Sequence, residues 1–169
     1  MINDYEFNRS VIYLTRDNDE GSIGFVINKK SCYKLSDIDT EYSDIEAPLY
    51  YGGPVSVDTV HFVHKENDMI ISSEKISNKI CWGNDFKKII SLIRKNKIRI
   101  NDIKFFLGYS GWDYGQLNRE LKENSWLVLE KFNSDDILKS KKDIWKNKLV
   151  SFGDKYKLWA NSPENPNYN

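Results

Sequence analysis

The chain has 169 residues, enough for one domain with a buried core and too few for two full-sized ones. Its 25 acidic and 25 basic residues cancel, which excludes a global field drawing in nucleic acid, an anionic membrane or a polyanionic substrate; nucleic-acid binding would have to come from a local patch. Cys32 and Cys81 stand apart with no Cys/His cluster, no cofactor motif appears and no apolar run nears the roughly 20 residues of a membrane span, so the expectation is a reduced cytoplasmic protein without metal, cofactor or membrane association.

In chain order, Ser10 to Thr15 and Ile23 to Asn28 are apolar, β-rich runs separated by the polar stretch from Arg16 to Gly21, which predicts a hairpin with both strands buried in the middle of a sheet. Gly24 inside the second run suggests a bulge or a close backbone approach. From Lys29 to Ala47 the pattern loosens into an irregular, exposed connection. Pro48 to Tyr51 reads as a short strand ended by the turn residues Gly52, Gly53 and Pro54, and Thr59 to His64 as another. Met69 to Ile71 and Lys79 to Trp82 suggest two more. Phe86, Ile89, Ile90 and Ile93 fall at i, i+3, i+4 and i+7, which predicts an amphipathic helix after a Gly83-Asn84-Asp85 start. Ile103 to Leu107 is a strand, Gln116 to Glu123 a helix and Trp126 to Glu130 a strand, an order that suggests a crossover. A last helix runs from about Asp135 to Leu149, capped by Ser134, with Ile137, Leu138, Ile144, Trp145 and Leu149 inward and Lys139, Lys141, Lys142, Lys146 and Lys148 on a solvated face. From Asn161 to Asn169 the composition is that of a frayed terminus.

The stretch from Gly108 to Gly115 holds three glycines and three aromatics within eight residues, and function is expected there if anywhere. Gly108-Tyr109-Ser110-Gly111-Trp112 falls one residue short of the G-x-S-x-G nucleophile elbow, and a tryptophan at the fifth position is too large for that crowded turn. The glycine spacing matches neither a Rossmann fingerprint nor a P-loop, so an anion cradle at a helix start is a weak reading. His61 and His64, three apart in a strand, point to opposite faces, cannot share a metal and are expected at the surface or half-buried. Carboxylates are scattered, and no pair is placed together for acid–base work.

With these residues in view, the chain resembles the YqgE/AlgH family of bacterial proteins. The resemblance rests on Phe7 to Ile12, Gly21 to Asn28, Tyr51-Gly52-Gly53-Pro54-Val55, Leu107 to Trp112, Gly115-Gln116-Leu117 and Asn124 to Leu127, in the family's order. Trp82-Gly83 and the tail are similar to its Bacteroidetes branch. The resemblance implies an α+β fold whose mixed, bifurcated sheet is surrounded by helices. It also implies a family with no established enzymatic reaction, one branch of which is named for an association with transcriptional control of alginate production. The family accepts alanine where Ser110 stands, which speaks against a nucleophile. Its members usually begin with an additional apolar strand ahead of the position of Asp4; the expectation is that such a strand is missing here and that the Ser10 to Thr15 strand offers an open edge for self-association.

The function expected is therefore that of a non-enzymatic regulatory or small-ligand-binding module. Asn28, Gly53, Tyr109, Ser110, Gly111, Trp112 and Gln116 are its candidate binding residues, and an unknown small molecule or protein is its partner. The alternatives are an enzyme using the loop from Gly108 to Gly115, and a transcriptional regulator acting directly or through a protein. Direct nucleic-acid binding is disfavoured by the charge balance.

Overall fold

The computed structural model describes residues 5–162 apart from 71, 78, 84, 131, 140 and 142. The strands β1 (Ile12–Asn18) and β2 (Gly21–Val26) form the expected hairpin, with Leu14 opposite Gly24 and a bulge between Leu14 and Arg16. Thr15 is the extra residue, and its hydroxyl donates to the Ile23 carbonyl at 3.1 Å. β2 is buried as expected, but β1 is not in the middle of the sheet: it is an end strand, and Leu14 is exposed. Any strand ahead of Asp4 falls outside the described residues.

The segment after β2 departs from the sequence reading. It holds β3 (Lys30–Lys34) and two short 3₁₀ turns, and Leu35, Ile45 and Ala47 are buried. The Leu35 N–H donates to the Ala47 carbonyl at 2.8 Å, closing the excursion so that these apolar side chains meet the core. Next come β4 (Pro48–Tyr51), β5 (Val55–Lys65), the two-residue β6 (Glu74–Lys75) and β7 (Ile80–Gly83). Met69 and Ile70 lie in a turn rather than a strand, and Ile71 lies outside the described residues. Helix α1 (Phe86–Arg94) follows the apolar periodicity, with the Asp85 carboxylate accepting from the Lys88 N–H.

The strand β8 (Ile103–Trp112) is the spine, and it does not stop at Gly108. The sheet order is β1-β2-β8-β5-β7-β6. One edge of β8 pairs antiparallel with β5; the other pairs first with β4, in parallel through Phe105 to Leu107, and then with β2, antiparallel through Ser110 to Trp112. The sheet therefore forks, as the resemblance implied. Gly108, at φ +62°, sits where one partner gives way to the other, a backbone state that L side chains resist. The kink also inverts the alternation: Leu107 packs with the core under α1, yet Phe106 and Tyr109 share the opposite face. At the crotch of the fork the Gly52 N–H donates to the Leu107 carbonyl at 2.8 Å, and the Gly52 carbonyl accepts from the Val26 N–H at 2.9 Å and the Ser110 hydroxyl at 3.0 Å.

Both edges of β8 being occupied, Trp126 to Glu130 finds no partner and is not a strand, so no crossover forms after α2 (Gln116–Lys122). The last helix is broken into α3 (Ser134–Leu138) and α4 (Ile144–Val150), with Asp143 left-handed at φ +68° between them. The cap of α3 is Asn133, whose side chain accepts from the Asp135 N–H, not Ser134. Buried Asp136 takes ion pairs from Lys141 at 3.1 Å and Lys148 at 2.8 Å, tying α3 to the break and to α4; Lys148 is thereby drawn in from the solvated face expected of it, while Lys141 stays exposed. Lys142 lies outside the described residues. The short α5 (Lys157–Asn161) follows. One core cluster packs Leu35, Leu49, Phe62 and Phe105 against α1; the other packs Phe25, Val63, Ile80 and Phe106 against Ile137, Leu138 and Ile144.

Candidate functional site

Three of the seven candidate residues serve backbone junctions rather than a pocket. Asn28 accepts from the Val11 N–H and donates to the Arg9 carbonyl, both at 2.8 Å, fastening the N-terminal segment to the end of β2. Gly53 lies where two backbones touch: a Cβ there would stand 2.3 Å from the Tyr109 carbonyl carbon. Ser110 is fully buried and donates to Gly52, so its oxygen faces no open space. The stretch from Gly108 to Trp112 is paired strand and makes neither an elbow nor a cradle of free N–H groups.

The remaining four candidates, Tyr109, Gly111, Trp112 and Gln116, do converge. They line a cleft of about 480 Å³ where the ends of β2 and β8 meet, together with Val55 and with Arg16, Asn18, Glu20, Ser22 and Ile23 from the first hairpin. Gly111 opens its floor: a Cβ there would lie 3.1 Å from the Tyr109 ring and 3.6 Å from Val55. Arg16 donates to Glu74 at 2.7 Å and stands 5.0 Å over the Trp82 ring, so it spans from β1 to β6 and β7 across the curl of the sheet. The Glu74 hydrogen bond pushes its pKa further up and keeps it cationic. The Ser22 hydroxyl donates to Asp17 at 2.6 Å. Behind Tyr109, at 5.6 Å between ring centres, lies His61, boxed by Phe25 and Trp82, with a buried Nε2 that has no hydrogen-bond partner among the described residues. Burial pushes its pKa down, so the imidazole is neutral at neutral pH. His64, expected near the surface, is fully buried instead, because Ser73 and the Lys65 carbonyl satisfy its two nitrogens at 2.7 Å.

Below the cleft lies a group that the sequence did not suggest. Glu120 on α2 accepts from Trp112 Nε1 at 3.0 Å, Trp126 Nε1 at 2.7 Å and Gln116 Nε2 at 2.9 Å. Gln116 in turn accepts from the Asp113 N–H. Burial raises the Glu120 pKa, but the three donors outweigh it and leave the carboxyl below its usual range. The stabilisation is therefore present above the unfolded pKa of about 4.3 and is lost as pH falls below it. Glu120→Ala strands two indole N–H groups and should cost about 1–3 kcal/mol in a urea melt at pH 7. An unchanged midpoint would show that the indoles find other acceptors.

Comparison with known proteins joins this architecture to a family. The AlgH-like family model matches residues 1–157. This chain belongs to the AlgH-like family. A relative from Bacteroides thetaiotaomicron is 40% identical over 170 residues, covering 100% of this chain and 86% of its own. Another, from Chlorobaculum parvum, is 39% identical over 163 residues, covering 96% and 87%. Both are described as UPF0301 proteins. The solution structure of AlgH from Pseudomonas aeruginosa superposes with a TM-score of 0.72 at 22% identity, covering 96% of this chain and 88% of its own. A crystal structure of a protein from Corynebacterium diphtheriae gives 0.75 at 18% identity, covering 95% and 86%. The forked α+β sheet is thus the AlgH-like fold. No helix among the described residues is long and apolar enough to cross a membrane.

In this AlgH-like chain, strand pairing gathers the cleft from distant sequence. Arg16, Glu20 and Ser22 read as turn and strand residues of a hairpin, and only the pairing of β2 with the end of β8, Ser22 with Trp112 and Ile23 with Gly111, brings them into one cleft with Gly111. No local signal marks them. Glu120 had a faint one, an acid four residues after Gln116 on a helix beside two tryptophans.

Proposed function

We infer that this AlgH-like protein is a non-enzymatic module that binds a small polar ligand in the cleft between the first hairpin and the end of β8. The observation that carries the reading is the floor at Gly111, bare of side chain and walled by Tyr109, Arg16 and Gln116. The two serine hydroxyls near it are already committed, Ser110 to Gly52 and Ser22 to Asp17, which favours recognition over nucleophilic chemistry by a serine. A regulatory output would follow from ligand tightening the β2–β8 junction that α2 and the tryptophans share.

A thermal-shift screen of polar metabolites tests this, since a ligand at 100 times its Kd adds about 2.7 kcal/mol. Gly111→Ala should keep the fold, because only the Tyr109 ring must give way, and should abolish the shift. Ser110→Ala should retain it. A hit that stabilises wild type and Gly111→Ala equally would place binding elsewhere and end this reading.

A further inference from the structure

The zero net charge conceals a segregation. From Phe86 to Asn101 the chain carries Lys87, Lys88, Arg94, Lys95, Lys97 and Arg99 and no acid at all. Folding places all six at the surface, on the exposed side of α1 and the turn after it, while Ile89, Ile90 and Leu92 face the core. The two arginines are held by the protein's own carboxylates: Arg94 grips Asp44 through Nε and Nη2, both at 2.9 Å, and Arg99 reaches Asp102 at 2.7 Å. Among the described residues, no carboxylate lies within ion-pair distance of Lys87, Lys88, Lys95 or Lys97. Lys87 and Lys88 stand in the first turn, where the helix dipole is positive and where no acid follows the Asp85 cap, so their field adds to that of the backbone. Lys87, Ser91, Arg94 and Lys95 also line a shallow cleft of about 260 Å³, whose far wall is Glu41 and the half-buried Tyr42.

We propose that the exposed face of α1 and its following turn is a docking surface for the phosphate backbone of nucleic acid. Lys87 and Lys95 are eight residues apart, about 12 Å along a helix at 1.5 Å per residue, a span that meets several phosphates at once. The face suits phosphate better than a protein partner, since its arginines are tied down and it offers no exposed aromatic anchor. It suits a soluble polyanion better than a lipid surface, since Ile100 is its one large exposed apolar side chain and membrane-surface helices bury Trp, Phe or Leu. Four lysines that meet phosphates, with no exposed aromatic among the described residues of this face to stack on bases, make a contact that reads charge rather than sequence. This surface is separate from the ligand cleft, and neither depends on the other.

Fluorescence anisotropy with a fluorescein-labelled, mixed-sequence DNA duplex of about 24 base pairs decides it. If four lysines each meet a phosphate, log K should fall against log salt with a slope of about −3.5, about a hundredfold between 50 and 200 mM salt. The quadruple variant Lys87→Gln, Lys88→Gln, Lys95→Gln, Lys97→Gln should bind no duplex, and the pair Lys88→Gln, Lys95→Gln should shed about half the slope. Lys139→Gln, Lys146→Gln, Lys155→Gln and Lys157→Gln, removing equal charge from the C-terminal helices, should leave affinity within about twofold of wild type. Three results would overturn the proposal: no binding by the wild type at 50 mM salt, equal loss in both quadruple variants, or capture by phosphatidylserine vesicles with the duplex left free.

Discussion

Trp112→Ala should remove about 3–5 kcal/mol of stability, the range for deleting a large aromatic from a core. Trp112 is buried, with its ring stacked on Phe7 at 6.5 Å and set edge-on to Trp126 at 5.9 Å, while its indole N–H bonds Glu120 on α2. One side chain thus joins the N-terminal segment, the end of β8, α2 and the strandless segment after it. The flanking rings are poorly placed to refill the cavity, because Phe7 and Trp126 are themselves held edge-on to each other at 5.6 Å. Ser110→Ala provides the contrast: it deletes one hydrogen bond to a carbonyl that keeps its Val26 partner and should cost about 0.5–1.5 kcal/mol. Urea melts of both variants measure the difference. A near-neutral Trp112→Ala would mean that the four segments hold together without it.

Lys104 should also contribute stability that rises from pH 7 toward pH 10. This lysine is 2% exposed inside the second core cluster, where its ammonium donates to the Ile27 carbonyl at 2.6 Å and the Ile137 carbonyl at 3.0 Å and stands 3.9 Å over the Tyr50 ring. Burial brings its pKa down to about 7. In the unfolded chain the proton is retained to about pH 10.4. Between those values the unfolded state binds more protons, so stability increases with pH by up to about 1.4 kcal/mol per unit; below pH 7 both states are protonated and the slope vanishes. A neutral amine still donates to both carbonyls, so the tie between β2, β8 and α3 survives deprotonation. Lys104→Met deletes that pH dependence and fills similar volume, and the wild type should gain on the variant steadily from pH 7 to 9.5. Parallel stability curves for the two proteins would refute the assignment.

Local pattern was a faithful guide where an element answers only to its own residues. Ile89, Ile90 and Ile93 define the inner face of α1 by spacing alone, and the polar run between two apolar ones makes the first hairpin. It misled where partners decide. Trp126 to Glu130 has the composition of a strand, but a strand needs an open edge and β8 has none left. Leu35, Ile45 and Ala47 are too sparse to announce a core segment, yet each is buried once the chain loops back. The last helix had the right inner residues and the wrong continuity: the chain breaks, and the carboxylate of Asp136 ties α3 to the break and to α4. Of the candidate site residues, Tyr109, Gly111, Trp112 and Gln116 meet in a cleft, while Asn28, Gly53 and Ser110 were marked by the same dense motifs but serve backbone junctions.

The sequence by itself determined the α1 helix, the first hairpin, the concentration of glycines and aromatics on one stretch, and the family whose fold that stretch organises. Those are properties of composition, periodicity and order, which a chain carries unfolded. Only the tertiary structure decided that the stretch is a strand shared between two partners, because its glycines remove side chains where backbones from residues 52 and 108 must touch. Only folding, too, brought Arg16 into one cleft with Gly111 and gathered uncompensated lysines on one surface of a neutral protein. Pairing and burial join residues far apart in sequence, and no window of neighbours records which ones will meet.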